Sequence, residues 1–130
     1  MVLAMDLEGS GPSLGSQGEA AAAEALRGRG YKILERNYRC ALGELDLVAL
    51  QGKTLVFVEV KSGLASAIFP RERVDFRKRR KLVQVAMYYL KEKRMEGVSA
   101  RFDVVEVDFP AQGGNPRVLI LPNAFDLEPI

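Results

Sequence analysis

The sequence predicts an α/β domain in which one mixed β-sheet is flanked by helices. Two runs of alternating or continuous apolar residues, at positions 43–49 and 55–61, predict neighbouring central strands. A capping box followed by Glu/Ala-rich sequence predicts a helix before these strands, and apolar residues at helical spacing predict another helix after them. Two further strand-like runs close the chain. The predicted order is therefore helix, three strands, helix and two strands.

Length and composition agree with one globular domain. The chain has 130 residues, of which 48% are hydrophobic and 28% are charged. Residues 1–15 are rich in Gly and Ser without a period, so we expect a disordered tail there and a single domain over residues 16–130. No apolar run reaches membrane-spanning length and no secretory signal is visible, so we expect no membrane partner. The single cysteine, Cys40, is expected to pack in a reducing, cytoplasmic setting.

The absence of histidine limits the chemistry that the chain can perform. With 0 His, Ser-His and Cys-His nucleophile systems are excluded, and so are Cys/His zinc sites. Any catalysis has to use carboxylates, Lys, Tyr or a bound metal ion.

The first helix is predicted to begin at Ser16, which has Glu19 three residues later. Ser at the N-cap with Glu at this spacing forms a capping box, and Gly28 and Gly30 are expected to end the helix. Glu19 therefore has a structural role of its own, and the residues by themselves favour that role.

The strands that follow differ in how they are buried. Residues 31–34 predict a short strand leading to a turn at Asn37. Alternation along residues 43–49 places Glu44 and Asp46 on one face, with Leu45, Leu47 and Ala49 on the other. Residues 55–61 carry apolar side chains on both faces, which predicts burial on both sides. A hairpin turn at residues 51–53 joins these two strands.

Charged side chains stand in these two strands where a buried strand is usually apolar. Glu59 and Lys61 share one face at a separation of roughly 6.6 Å, and Asp46 lies on the neighbouring strand. Such charges are costly unless they pair or bind an ion. Hard divalent cations such as Mg2+ take carboxylate oxygens and activate water, and a lysine can orient that water. The residues alone leave open the other interpretation, a solvated strand end with Asp46 paired to an Arg.

The basic residues are concentrated in one segment. Residues 71–94 hold ten Lys/Arg and three Asp/Glu, while the rest of the chain holds nine and fourteen. This asymmetry predicts a polyanion partner on one side, the alternative being a salt-bridged, solvated helix face.

The basic segment contains the second helix, from about residue 76 to residue 95. Asp75 is expected to cap it and Gly97 to end it. Its predicted buried stripe is formed by Leu82, Val83, Ala86 and Leu90. The cationic residues beside that stripe are Arg77, Lys78, Arg80 and Lys81. Gln84 is expected to face water, whereas Met87, Tyr88 and Tyr89 are expected to pack.

The remaining segments are strands and loops. Residues 62–70 predict a substrate-facing loop just beyond Lys61. Residues 100–107 and 117–121 predict the last two strands, with a turn at residues 113–116 between them.

Short segments along the chain match one known protein family in order. They are Gly18-Glu19, Gly30-Tyr31, Asn37-Tyr38-Arg39, Gly43-Glu44-Leu45-Asp46-Leu47, Phe57-Val58-Glu59-Val60-Lys61, Lys81, Arg101-Phe102-Asp103-Val104-Val105 and Asn123-Ala124-Phe125. Over about residues 16–126 the chain thereby resembles the YraN-like family of small predicted endonucleases, which is similar to archaeal Holliday-junction resolvases.

The resemblance implies a restriction-endonuclease-like core of the PD-(D/E)xK nuclease superfamily. Asp46, Glu59 and Lys61 fall on the catalytic positions of the superfamily, and Glu19 falls where resolvases carry a helix-borne acid near the metal. The implied activity is cleavage of phosphodiester bonds in branched or otherwise structured DNA, with one or two Mg2+ or Mn2+ ions held by Asp46, Glu59 and Glu19. Resolvases dimerise, so a homodimer is one expected assembly.

The chain departs from the family pattern at one position near the implied site. The basic residue usual two positions after Lys61 is replaced by Gly63, so the phosphate contact expected there is either missing or supplied by Arg71 or Arg73. The flanking phosphates are expected to contact residues 71–81, which include Arg71, Arg73, Arg77, Lys78, Arg80 and Lys81. Glu44 matches a family position without an evident role. The alternatives to an endonuclease are a catalytically silent nucleic-acid-binding module on the same fold and, less favoured, a phosphatase acting on small phosphoesters.

Overall fold

The computed structural model describes residues 13–64 and 76–125, which contain two helices and five strands. The elements are α1 (Leu14–Gly28), β1 (Lys32–Cys40), β2 (Gly43–Gln51), β3 (Thr54–Leu64), α2 (Phe76–Glu92), β4 (Ala100–Phe109) and β5 (Arg117–Phe125). The predicted order of helices and strands is confirmed. Residues 1–12 of the expected tail, most of the expected loop at 62–70, and Arg71, Arg73 and Asp75 lie outside the described residues.

The five strands form one sheet in the order β1-β2-β3-β4-β5. Neighbouring strands are antiparallel except β3 and β4, which run parallel with Leu55 opposite Ala100 and Leu64 opposite Phe109. Parallel strands need a crossover connection, and α2 lies within it. The mixed sheet flanked by helices confirms the predicted fold class and is consistent with a restriction-endonuclease-like fold.

The sheet is covered by one helix on each face, which makes two hydrophobic clusters. In the cluster under α1, Leu26 packs with Val56 and Val58, and in the cluster under α2, Val85 packs with Phe57. Each fully buried Val, Leu or Phe contributes about 1.5–3 kcal/mol. Strand β3 is therefore buried on both faces, as its apolar run predicted.

Helix α1 begins earlier than its capping signal predicted. The N-cap is Ser13, whose side-chain Oγ accepts a hydrogen bond from the backbone nitrogen of Ser16 at 3.0 Å. The predicted N-cap at Ser16 is wrong, because Ser16 lies inside the helix, and Glu19 is therefore not the third residue of a capping box. At the other end Gly30 has φ 90 and Tyr31 donates to the carbonyl of Leu26, so the predicted glycine ending is confirmed.

Helix α2 buries the predicted stripe and two residues more. Val85 and Tyr89 join it, because the face against the sheet is wider than the predicted stripe. Met87 and Tyr88 are exposed, so the prediction that they pack is wrong, whereas Gln84 faces water as predicted.

The ending of α2 was also predicted wrongly. The helix stops at Glu92, and Arg94 with φ 58 takes the left-handed position that Gly97 was expected to provide. The backbone nitrogen of Met95 then donates to the carbonyl of Leu90 at 2.7 Å, which satisfies a carbonyl of the last turn.

Several strands are longer than their sequence patterns indicated. Strand β1 continues through Asn37, which has φ 54, instead of turning there. Residues 62–64 extend β3 rather than opening the expected loop, and β4 and β5 continue to Phe109 and Phe125. Pairing with neighbouring strands maintains these ends where side-chain alternation does not mark them. Within the described ranges, no helix is both long and apolar enough to cross a membrane.

Candidate metal and nucleic-acid site

Asp46 lies where the alternation of β2 is interrupted. Leu45 belongs to the cluster under α2, whereas Leu47 belongs to the cluster under α1, so the prediction that both share one face is wrong. Backbone pairing of β2 with β3 begins at Leu47, and the Oδ2 of Asp46 accepts a hydrogen bond from the backbone nitrogen of Val60 at 2.8 Å. Beyond Leu47, the Val60 nitrogen thus donates to the Asp46 side chain instead of to a backbone carbonyl of β2. This hydrogen bond holds Asp46 beside β3.

Asp46 and Glu59 are brought together at this point. Glu59 is only 8% exposed. Burial and then the charge of Glu59 raise the pKa of the Asp46 carboxyl to about 7, while the hydrogen bond from Val60 acts in the opposite direction. A raised pKa of this origin means that the two carboxyls share one desolvated region of negative potential.

Glu19 approaches the same region from helix α1. A Cβ on its neighbour Gly18 would lie 1.7 Å from the Oγ and 2.7 Å from the Cβ of Ser62, so α1 reaches β3 at this depth only because residue 18 is glycine. Glu19 is half-buried, and its charge also raises the pKa of Asp46. Glu19 therefore acts electrostatically on Asp46 from inside α1 and has no role in a capping box.

Lys78 of helix α2 brings a positive charge to this acidic region. Its Nζ lies 2.5 Å from Oε2 of Glu59, whose side chain is 10% exposed, while the Lys78 side chain is 46% exposed. The sequence grouped Lys78 with the residues that contact flanking phosphates. The spacing of Lys78, Leu82 and Ala86 by four residues was a signal that Lys78 continues the buried stripe toward the sheet.

The other site residues fall into three places. Lys61 is half-buried, two residues beyond Glu59 on β3, in register with Glu106 of β4. Arg77, Arg80 and Lys81 are exposed near the start of α2. The remaining predicted phosphate contacts, Arg71 and Arg73, lie outside the described residues.

Glu44 is not part of the acidic region. It is paired in register with Arg39 on β1, and their side chains form an exposed ion pair at 3.7 Å. The adjacent Gly43 has φ 146, and a Cβ there would lie 3.1 Å from Val85 of α2. The Gly43-Glu44 pair is thus accounted for by helix packing and a surface ion pair.

The donor set can be tested against the ion that the resemblance implies. Across residues 13–64 and 76–125, no group of three or more Cys, Asp or Glu side chains is arranged to hold a metal ion. Mg2+ keeps several waters and is usually bound by one or two carboxylates together with substrate phosphates. The oxygen donors of Asp46 and Glu59 therefore fit Mg2+ or Mn2+ as a two-carboxylate site, with Glu19 nearby rather than as a third ligand of a closed cage.

Comparison with known proteins identifies a family and individual proteins to which this chain is similar. The model of a family described as "Uncharacterised protein family UPF0102" matches residues 18–107. A UPF0102 protein of Moorella thermoacetica is 48% identical over 112 residues, covering 85% of this chain and 93% of the relative. A UPF0102 protein of Geobacter metallireducens is 44% identical over 116 residues, covering 88% and 93%. Among solved structures, "The structure of Pyrococcus Furiosus SfsA in complex with Ca2+" matches with TM-score 0.37 and 15% identity, covering 83% of this chain and 61% of that one.

Proposed function

We propose that this chain, which belongs to the UPF0102 family, is a Mg2+-dependent endonuclease that hydrolyses phosphodiester bonds in branched or otherwise structured DNA. The family is the YraN-like family that the sequence motifs indicated. Membership of the family does not by itself define an activity, so the proposal depends on the site.

One observation carries the proposal, the enforced proximity of Asp46 and Glu59. Asp46 is fixed by the Val60 nitrogen at 2.8 Å and has a pKa raised to about 7 by burial and by Glu59. Two like charges about 4 Å apart repel by about 4 kcal/mol at an effective dielectric near 20. A divalent cation offsets such repulsion, and a carboxyl whose pKa is raised as strongly as that of Asp46 is characteristic of functional sites.

Each residue of the site has a distinct role in the proposed reaction. Asp46 and Glu59 hold the ion, with Glu19 acting from α1 as an outer ligand. Bound there, Mg2+ supplies Lewis-acid stabilisation of charge on the phosphate and a more acidic water. Lys61 orients the attacking water and offsets the negative charge that develops on the phosphate.

The basic start of α2 provides the contacts to the substrate backbone. Arg77, Arg80 and Lys81 are exposed there, on the same helix whose Lys78 contacts Glu59. Cations placed beside an acidic site hold the flanking phosphates and position the scissile one without reading sequence.

A second candidate function is a nucleic-acid-binding module without catalysis. The ion pair between Lys78 and Glu59 favours it, because an ammonium group at 2.5 Å already neutralises a carboxylate that a metal ion would use. The two functions share the basic helix and differ in whether the acidic region binds a divalent ion.

Cleavage and binding assays separate the two candidates. The wild type is incubated with branched, flapped and plain duplex DNA in Mg2+ or Mn2+, and the same substrates are used in gel-shift experiments. Glu59→Gln and Lys61→Ala should abolish nicking while leaving binding nearly intact. Glu44→Gln, which removes an exposed acid on the same strand as Asp46, should cleave as the wild type does. If the wild type binds branched DNA tightly but nicks no substrate with either metal, the endonuclease proposal is wrong and the nucleic-acid-binding module takes its place.

A further inference from the structure

A second polar cluster lies on β4, where Asp103 is in register with Val58 of β3, and the proposed endonuclease function does not use it. Its centre is Asp103 on β4, which is 0% exposed. The Asp103 carboxylate accepts hydrogen bonds from the Tyr31 hydroxyl at 3.0 Å, from the Arg101 Nε at 2.9 Å and from the backbone nitrogen of Asn123 at 2.8 Å. The cluster joins the end of α1 and the end of β5 to β4.

This hydrogen-bond network holds the guanidinium of Arg101 in one position. Its Nη2 donates to Gln51 Oε1 at 2.6 Å, to the Tyr31 hydroxyl at 3.1 Å and to Asp103 Oδ2 at 3.2 Å. The Arg101 side chain nevertheless remains 22% exposed. A guanidinium held this firmly, with one edge toward solvent, is pre-organised for a ligand because little side-chain entropy remains to be lost.

Arg101 contributes to the wall of a groove of about 590 Å³. The residues that line the groove also include Arg29, Tyr31, Ile120, Pro122 and Asn123. The volume lies within the range typical of small-molecule sites, and the lining combines cationic, hydrogen-bonding and apolar surfaces.

The groove is separate from the acidic region of Asp46 and Glu59. None of Asp46, Glu59 and Glu19 lines the groove. Arg101 is in register with Val56 of β3, and Glu59 lies three residues further along that strand, roughly 10 Å away at the rise of a β-strand. The starts of β3 and β4 thus carry the groove, and the later part of β3 carries the acidic region.

Stability alone does not account for a charged network here. Replacing a buried ion pair by well-packed apolar residues is often neutral or stabilising. The pairing of β4 with β5 shifts register between Phe102 and Val104, and Asn123 has φ 53. Bulges and left-handed non-glycine residues of this kind concentrate at binding sites, where they direct polar groups toward a ligand.

We propose that this groove binds a phosphate ester of nucleotide size. The guanidinium groups of Arg29 and Arg101 contact the phosphate, because planar guanidinium donors match phosphate oxygens. Ile120 and Pro122 provide apolar surface for the organic part of the ligand. A nucleotide contacts both the cationic and the apolar lining of a groove of this volume, whereas inorganic phosphate contacts only the cationic part. The groove should therefore distinguish a nucleotide from inorganic phosphate.

The experiment is a calorimetric titration of the full chain with dAMP and, separately, with inorganic phosphate, in EDTA. The test variant is Arg29→Ala and its control is Arg27→Ala. Both arginines are exposed at the end of α1, but Arg27 does not line the groove. Arg29 caps α1 through its backbone nitrogen, so truncation of its side chain leaves the cap intact.

We expect saturable binding of dAMP that is tighter than that of inorganic phosphate. Loss of a charged hydrogen bond should weaken binding about tenfold or more in Arg29→Ala, with no change in Arg27→Ala. Absence of saturable dAMP binding, equal effects of the two substitutions, or equal affinity for phosphate and dAMP would each overturn the proposal. Since EDTA excludes divalent metal and no DNA is cut, failure here is distinct from failure of the endonuclease function.

Discussion

The ammonium nitrogen of Lys78 lies 2.5 Å from Oε2 of Glu59, so helix α2 itself supplies a cation to the acidic region of the sheet. Glu59 is nearly buried and is adjacent to Asp46, whereas Lys78 is about half exposed. Lys78 can therefore leave the carboxylate toward solvent without disrupting the helix. This geometry makes Lys78 and a divalent ion competitors for the same oxygen.

The competition predicts the effect of Lys78→Ala on metal affinity. Without the ammonium group, Mn2+ or Mg2+ should bind more tightly, while the metal-free protein should lose about 1–3 kcal/mol because a buried carboxylate is left unpaired. Calorimetric titration and thermal melting with and without metal measure both effects. Arg77→Ala removes an exposed cation of the same helix and is the control. Unchanged metal affinity in Lys78→Ala would contradict the competition.

Metal binding itself should stabilise the protein through Asp46. Millimolar Mg2+ or Mn2+ should raise the melting temperature of the wild type, because the ion binds the folded state alone. Asp46→Asn should remove most of this increase while its side-chain oxygen still accepts the Val60 hydrogen bond. A wild type that shows no shift in either metal would show that the acidic region is not a cation site.

The raised pKa of Asp46 predicts how stability depends on pH. Between the ordinary carboxyl pKa of 3.8 and the folded-state value of about 7, the native state binds more protons than the unfolded state. Stability contributed by the protonated form is therefore lost as pH rises through this window. In EDTA, the stability of Asp46→Asn relative to wild type should increase from pH 4 to pH 7 and then level off. Denaturant unfolding at a series of pH values measures the stability of both proteins. If the two stabilities change in parallel with pH, the pKa of Asp46 is not raised in the folded state.

The contact between Gly18 and Ser62 predicts a specific pair of substitutions. Gly18→Ala should destabilise the protein by about 1–3 kcal/mol, because its Cβ overlaps Ser62, although alanine favours helices. Ser62→Gly in the same chain should restore much of the loss. Gly28→Ala is the matched control, since nothing lies within 4 Å of a Cβ there, and it should be neutral or stabilising. Equal effects of the two alanine substitutions would argue against close approach of α1 to β3.

The basic start of α2 predicts the salt dependence of DNA binding. Arg77→Ala, Arg80→Ala and Lys81→Ala should each weaken binding similarly for different sequences. Each should also reduce the slope of log affinity against log salt by about 0.9 for duplex DNA, since one phosphate contact is lost. Gel shifts over a range of salt concentrations measure the slope. Lys53→Ala, in the exposed turn between β2 and β3, should leave it unchanged. If none of the three helix substitutions changes the slope, α2 does not contact the DNA backbone.

The sequence by itself determined the order of the elements and the burial of the central strand. Apolar residues on both faces of residues 55–61 indicated a strand covered by two layers, and helical spacing identified Leu82, Val83, Ala86 and Leu90 as a buried stripe. These properties follow from hydrophobic periodicity, which is set by residues close together in the chain. The short motifs likewise indicated the YraN-like family.

Only the tertiary structure decided how the acidic region is assembled. The face occupied by Asp46 depends on where β2 stops pairing with β3, and regular alternation gave the wrong face for Leu47. The partner of Glu59 is Lys78, which is 19 positions away and approaches because α2 packs on the sheet. Strand alternation and helix periodicity are local, but the position of a charge relative to another element is set by packing of distant segments. The candidate residues could therefore be named from the sequence, whereas their contacts with one another could not.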